Sequence, residues 1–222
     1  MKLGVLVSGT GTNLAAILDA TATGRLSAKV AVVVSNVATA YGLERAERAN
    51  VPTAVVDHRA FANREEFDAE LVRTLKDHGV DCVVLAGFMR VVTRVLLDAF
   101  PRRVVNIHPS LLPAFPGVHA QRQALEYGVR VAGCTVHFVD DGMDTGPIIA
   151  QRAVFVAPDD TEATLKERIL REEHALLPEV LQWLADDRVY VEARSPRPVV
   201  FVRPPSNPGA SARANSSGTS ER

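Results

Sequence analysis

Two polar side chains interrupt an apolar run in Val104-Val105-Asn106-Ile107-His108-Pro109-Ser110. A carboxamide can donate a hydrogen bond to an oxygen that is gaining charge. An imidazole can do the same or move a proton. Side chains two apart on an extended chain face the same way, roughly 7 Å apart at ~3.3 Å per residue. An amide beside an imidazole at the carboxyl end of a buried strand therefore suits a carbonyl carbon under attack.

Three acids crowd the later segment Val139-Asp140-Asp141-Gly142-Met143-Asp144-Thr145-Gly146-Pro147. Their spacing does not match the alternating acids of a calcium loop, and no His/Cys cluster supports zinc. The expected role is for one acid to hydrogen-bond His108, raising its pKa and orienting the ring. Spacing alone leaves open which acid does so. A third feature is the turn Ser8-Gly9-Thr10-Gly11-Thr12-Asn13 between an apolar strand and a helix. Backbone N–H groups at such a helix start can hold an anion, and a phosphate monoester on Gly11, Thr12 and Asn13 fits. A nicotinamide cofactor fits less well. Leu14 stands at the third glycine position of the dinucleotide fingerprint, and the second strand ends in Ser35-Asn36 with no acid for a ribose. Finally, Glu173 falls about 80° from Leu165 at ~100° per residue, within the apolar stripe of a long helix. A buried carboxylate needs a partner. An arginine elsewhere in the fold is expected, a substrate amine or hydroxyl being the alternative.

The elements that position these groups follow from hydrophobic patterning. Strands are expected at residues 3–7, 29–35, 53–56, 81–86 and 104–107, with helices at 13–22, 42–49 and 65–78 between them. Strands apolar on both faces and joined by helices indicate a parallel sheet covered on both sides. Runs at 131–139 and 148–155 add later strands. A long helix follows, capped by Asp159 and Glu162, and Pro178 should kink or break it. Residues 1–194 are expected to form a single domain. Residues 195–222, rich in Pro and Ser, read as a largely disordered tail.

The whole chain of 222 residues carries 25 basic and 26 acidic side chains, for a net charge of −1, which gives no electrostatic case for nucleic acid. No stretch approaches the ~18 apolar residues of a spanning helix, and the first residues are too short and polar for a signal peptide. Cys82 and Cys134 lie in apolar runs without CxxC pairing, as buried packing residues of a reducing compartment do. The expected setting is the cytoplasm, with small-molecule substrates, no nucleic acid, no membrane, and a monomeric or homodimeric state.

Taken in order, Val7-Ser8-Gly9-Thr10-Gly11-Thr12-Asn13-Leu14, Val84-Leu85-Ala86-Gly87-Phe88-Met89-Arg90, Asn106-Ile107-His108-Pro109-Ser110-Leu111-Leu112-Pro113 and Asp144-Thr145-Gly146-Pro147-Ile148 resemble the folate-dependent phosphoribosylglycinamide formyltransferases. The likeness covers about residues 1–188. It implies an α/β formyltransferase fold, a Rossmann-like, mostly parallel sheet with helices on both faces, extended by later strands. The implied activity is direct transfer of a formyl group from 10-formyltetrahydrofolate, a co-substrate, to the glycinamide amine in purine synthesis, with no metal, no NAD and no covalent enzyme intermediate. By the same resemblance, Asn106 and His108 stabilise the oxyanion and Asp144 tunes His108. Gly11, Thr12, Asn13 and Glu173 bind the phosphoribosylglycinamide. Arg64, Met89, Arg90, Val91 and Val92, together with Asn106, Asp140, Asp141, Gly142, Met143 and Asp144, line the folate site. Thr12 stands where many relatives carry Ser, which keeps the hydroxyl, and Ala15 where a polar side chain is common. A formyltetrahydrofolate hydrolase, another folate-dependent N-formyltransferase and a non-enzymatic nucleotide-binding module are the rival readings.

Overall fold

A computed structural model describes residues 1–205. Along the chain run β1 (Lys2–Val7), α1 (Thr12–Ala22), β2 (Lys29–Ser35), α2 (Tyr41–Arg48), β3 (Thr53–Val55), α3 (Arg64–Asp77), β4 (Cys82–Leu85) and α4 (Arg94–Ala99). There follow β5 (Val104–His108), α5 (Ala120–Tyr127), β6 (Val131–Phe138), β7 (Ile148–Phe155), α6 (Glu162–Ala185), β8 (Val189–Glu192) and β9 (Val199–Val202). Seven strands form one sheet in the order β3-β2-β1-β4-β5-β6-β7. The first five are parallel, and β6 and β7 join antiparallel.

Alternation along the strands divides the core. Val5, Val7, Val33, Cys82 and Val84 pack on one face with Leu14 and Ile17 of α1 and Leu165, Ile169 and Leu176 of α6. Leu6, Val32, Val34, Val83 and Leu85 pack on the other with Phe67, Leu71 and Leu75 of α3 and Leu96 of α4. Burial on both faces is why these strands are almost wholly apolar. It also makes Asn106 and His108 conspicuous.

The chain order reverses about β1, with β2 on one side and β4 on the other, so a crevice opens beyond the strands' carboxyl ends. The turn after β1 enters it. Gly11 sits at φ 66°, and a Cβ there would come within 2.7 Å of the Gly42 Cα, so a left-handed backbone and a close approach to α2 both call for glycine.

Four local expectations are corrected. The last sheet helix is one element from Glu162 to Ala185 and runs on through Pro178. Proline removes one helical hydrogen bond. Buried Leu176, Leu177, Val180, Leu181 and Leu184 anchor the helix on both sides of it. The cap is Thr161, whose hydroxyl accepts the Thr164 N–H while the Thr164 hydroxyl accepts the Thr161 N–H, in place of Asp159 and Glu162. Two short helices, α4 and α5, were not anticipated. The domain boundary at residue 194 falls inside a hairpin: β8 pairs with β9, Tyr190 stacks on Phe201, and the guanidiniums of Arg194 and Arg203 lie over those rings. The rest of the expected tail, residues 206–222, lies outside the described residues.

Candidate active site

β5 ends with Asn106 and His108 on the α3/α4 face, and antiparallel pairing puts His137 of β6 directly opposite Asn106. Opposed residues in such a pair share a face. The β6–β7 loop then brings Asp144 over the same patch, with its backbone in the left-handed region at φ 55°.

The side chains converge closely. Asp144 Oδ2 lies 3.3 Å from His108 Nδ1 and accepts the Gly117 N–H at 2.7 Å. Asp144 Oδ1 lies 3.4 Å from Asn106 Nδ2 and 3.7 Å from His137 Nε2. His108 Nε2 donates to the Phe115 carbonyl at 2.9 Å, and His137 Nδ1 donates to the Phe138 carbonyl at 2.8 Å. Those carbonyl bonds settle the ring assignments. His137 is left with an Nε2 lone pair, which accepts from Asn106 Nδ2 at 3.2 Å. The Asn106 amide is thus oriented by His137, while its 3.4 Å contact to Asp144 is long enough to be exchanged for a better acceptor.

Charge follows from burial. Burial pushes His108 below the ordinary imidazole range, against the upward pull of the Phe115 carbonyl and of Asp144. The acid does pull the pKa upward as expected, but the net shift is downward: His108 is 4% exposed, and desolvation outweighs its partner. Burial works to raise Asp144, but the Gly117 N–H and the neighbouring imidazoles of His108 and His137 hold it below its ordinary value. The site therefore pairs an ionised carboxylate with an imidazole that releases protons readily.

The other acids of the loop brace it. Asp140 accepts the Gly142 N–H at 3.2 Å and the Thr145 hydroxyl at 2.6 Å, and Asp141 pairs with Arg94 at 2.8 Å. Gly142 and Met143 are exposed beside them.

A second polar pair lies at the glycine turn. Glu173 is 6% exposed, and its partner is Asn13, whose Nδ2 donates at 2.8 Å; the expected arginine is not there. Burial raises the Glu173 pKa, opposed by Asn13. Asn13 Oδ1 is buried with no partner among the described residues. Arg64 is exposed at the start of α3, and Met89 and Val91 are exposed in the segment between β4 and α4, whereas the Val92 side chain enters the core.

Sequence reasoning missed His137. Its signal was available, as the one imidazole in the apolar run Val131–Phe138, but only the β5–β6 register shows that it faces Asn106. Among the described residues, no group of three or more His, Cys, Asp or Glu side chains is arranged to hold a metal, and no helix is long and apolar enough to cross a membrane.

Known proteins resemble this chain over most of its length. A family model described as formyl transferase matches residues 1–181. The phosphoribosylglycinamide formyltransferase of Escherichia coli is 45% identical over 189 residues, covering 85% of this chain and 89% of that protein. The trifunctional purine biosynthetic protein adenosine-3 of Drosophila melanogaster is 50% identical over 187 residues, 83% of this chain. The chain spans only 14% of that relative's length. Among solved structures, glycinamide ribonucleotide transformylase 1 from Symbiobacterium toebii superposes with a TM-score of 0.89 at 54% identity, over 92% of this chain and 94% of that one.

Proposed function

Because the chain belongs to the formyl transferase family, we propose that it transfers a formyl group from 10-formyltetrahydrofolate to the amine of N1-(5-phosphoribosyl)glycinamide, as a step of purine synthesis. The observation that carries this reading is the convergence of Asn106, His108 and Asp144 on one patch of the sheet.

In this reading the glycinamide amine attacks the formyl carbon, and the carbonyl electrons move onto oxygen. Asn106 Nδ2 turns from Asp144 to that oxygen, and the imidazole of His108 supplies the second stabilising group. The amine sheds one proton to the Asp144–His108 pair. The carbon–N10 bond then breaks, and N10 takes up a proton as tetrahydrofolate leaves. Atoms and charge balance with no change of oxidation state, so the step calls for no hydride carrier such as a nicotinamide, and the oxyanion is met by Asn106 and His108. The Gly11–Thr12–Asn13 turn holds the phosphoribosyl end with Glu173 beside it. Arg64, Met89–Val92 and the 140–144 loop hold the folate. The cytoplasm is the proposed setting, with small-molecule partners only, and two buried free cysteines suit a reducing compartment.

The test is to follow folate turnover with and without the ribonucleotide. Turnover that requires the ribonucleotide is expected. Formate released in its absence would mark a hydrolase instead, and no turnover under either condition would mark a binding module.

A further inference from the structure

We propose that Asp68 is a positioning residue for the formyl donor: its buried carboxylate holds Thr93 and thereby the backbone of Met89–Val92. The inference rests on the reading above, in which that segment and Arg64 line the folate site. β4 ends at Leu85 and α4 begins at Arg94, so the chain between them has no regular ladder or helix to define it. Backbone groups in such a segment are only as well placed as its ends.

Both ends are held by side chains from elsewhere in the fold. At the first, Ser8 Oγ accepts the Met89 N–H at 2.8 Å and donates its own proton to Asn36 Oδ1 at 2.6 Å. At the second, the Asp68 carboxylate accepts the Thr93 N–H. The Thr93 hydroxyl accepts the Val95 N–H as the cap of α4, so the residue that Asp68 holds is also the one that starts this helix. Between the two anchors, Phe88 stacks on Phe67 with centroids 6.4 Å apart and Val92 is buried, while Met89 and Val91 face outward. The segment is pinned from beneath and open above.

Asp68 stands one helical turn after Arg64, so a single helix carries both the exposed guanidinium and the anchor. Its burial is costly. Asp68 is 1% exposed, Oδ1 has no partner among the described residues, and burial raises its pKa. An apolar residue would serve stability better at that depth. A charged acceptor there is explained by what it holds.

The test compares Asp68→Ala and Asp68→Asn with wild type. Asp68→Ala removes the acceptor, whereas Asp68→Asn keeps the side-chain volume and one acceptor oxygen, and carries the test if Asp68→Ala does not fold. In Asp68→Ala, the KM for 10-formyltetrahydrofolate and the Kd for tetrahydrofolate should rise together by about tenfold or more, since small displacements of positioning groups are felt strongly. The kcat and the KM for the ribonucleotide should stay within about twofold. Asp68→Asn should fall between. Wild-type donor affinity in a folded variant, or equal rises in both KM values, would overturn the role of Asp68. Absence of turnover and of folate binding in the wild type would instead overturn the functional reading beneath it.

Discussion

Replacing Asp144 by asparagine alters charge with almost no change of shape, and the geometry dictates how the new amide must sit. The Gly117 N–H points at Oδ2 from 2.7 Å, so that position must remain an oxygen. The NH2 group then takes the place of Oδ1, facing the lone pair of His137 Nε2 and the donor Nδ2 of Asn106. It competes with Asn106 for His137 and leaves His108 Nδ1 without an anion. Once His108 carries the proton taken from the amine, the hydrogen bond from its Nδ1 to a charged acceptor contributes roughly 1.5–3 kcal/mol, about 10- to 150-fold. Loss of positioned acid–base chemistry adds roughly 10²- to 10⁴-fold. These effects act through one network and do not multiply fully, so kcat/KM should fall about 10³-fold or more. Because the side-chain volume is unchanged and the Gly117 N–H keeps its acceptor, stability should change by no more than about 1 kcal/mol. The pH profile adds a signature. Asp144 ionises below the ordinary carboxylate range, so wild-type activity persists in moderate acid and is lost as pH falls through that depressed pKa. The variant should lack this limb. Steady-state folate turnover from pH 9 down to below 3.8, the ordinary carboxylate value, with thermal melts alongside, measures both. A folded Asp144→Asn enzyme within tenfold of wild type would refute the reasoning.

His108→Ala should lower kcat by several orders of magnitude, since it removes an oxyanion-stabilising group and the proton carrier together. It should still melt cooperatively, because Asp144 keeps the Gly117 N–H; near-normal turnover would remove His108 from the mechanism. Glu173 titrates higher in the folded protein than its ordinary 4.5. The folded state therefore holds the proton more tightly, and the favourable contribution is complete below that value and lost as pH rises through the raised pKa. Glu173→Gln should accordingly gain stability relative to wild type as pH rises from 4.5 towards neutrality, read by urea melts at several pH values; a constant difference would contradict this. Burial pushes both Cys82 and Cys134 up to about 12. At pH 8 neither thiol should react with a disulfide reagent until urea unfolds the chain, and stoichiometric native labelling would show the packing to be otherwise.

Much of the fold is written in local patterns. Val5, Val33 and Val84 belong to runs too apolar for a solvated face, so a doubly covered parallel sheet followed directly. Asn106 and His108 stood out because a buried strand gains nothing from polar side chains at its end. His137 did not stand out, because its meaning depends on a register between two strands that no local pattern contains. The partner of Glu173 was missed for the same reason: α1 and α6 meet across 160 residues of chain, and only that contact brings Asn13 to it. Pro178 misled because intrinsic propensity yields where flanking leucines are locked into a core. The β8–β9 hairpin was hidden by its prolines, and its order comes from Tyr190, Phe201 and two arginines stacked across the strands.

The claim that the formyl group passes straight from folate to amine is tested most directly by a single turnover with enzyme in excess and an isotopically labelled formyl donor. The account predicts that all label leaving the folate reaches the glycinamide nitrogen, while the mass of the intact protein stays unchanged throughout. Label found on the protein, or released as formate while the ribonucleotide is bound, would contradict it.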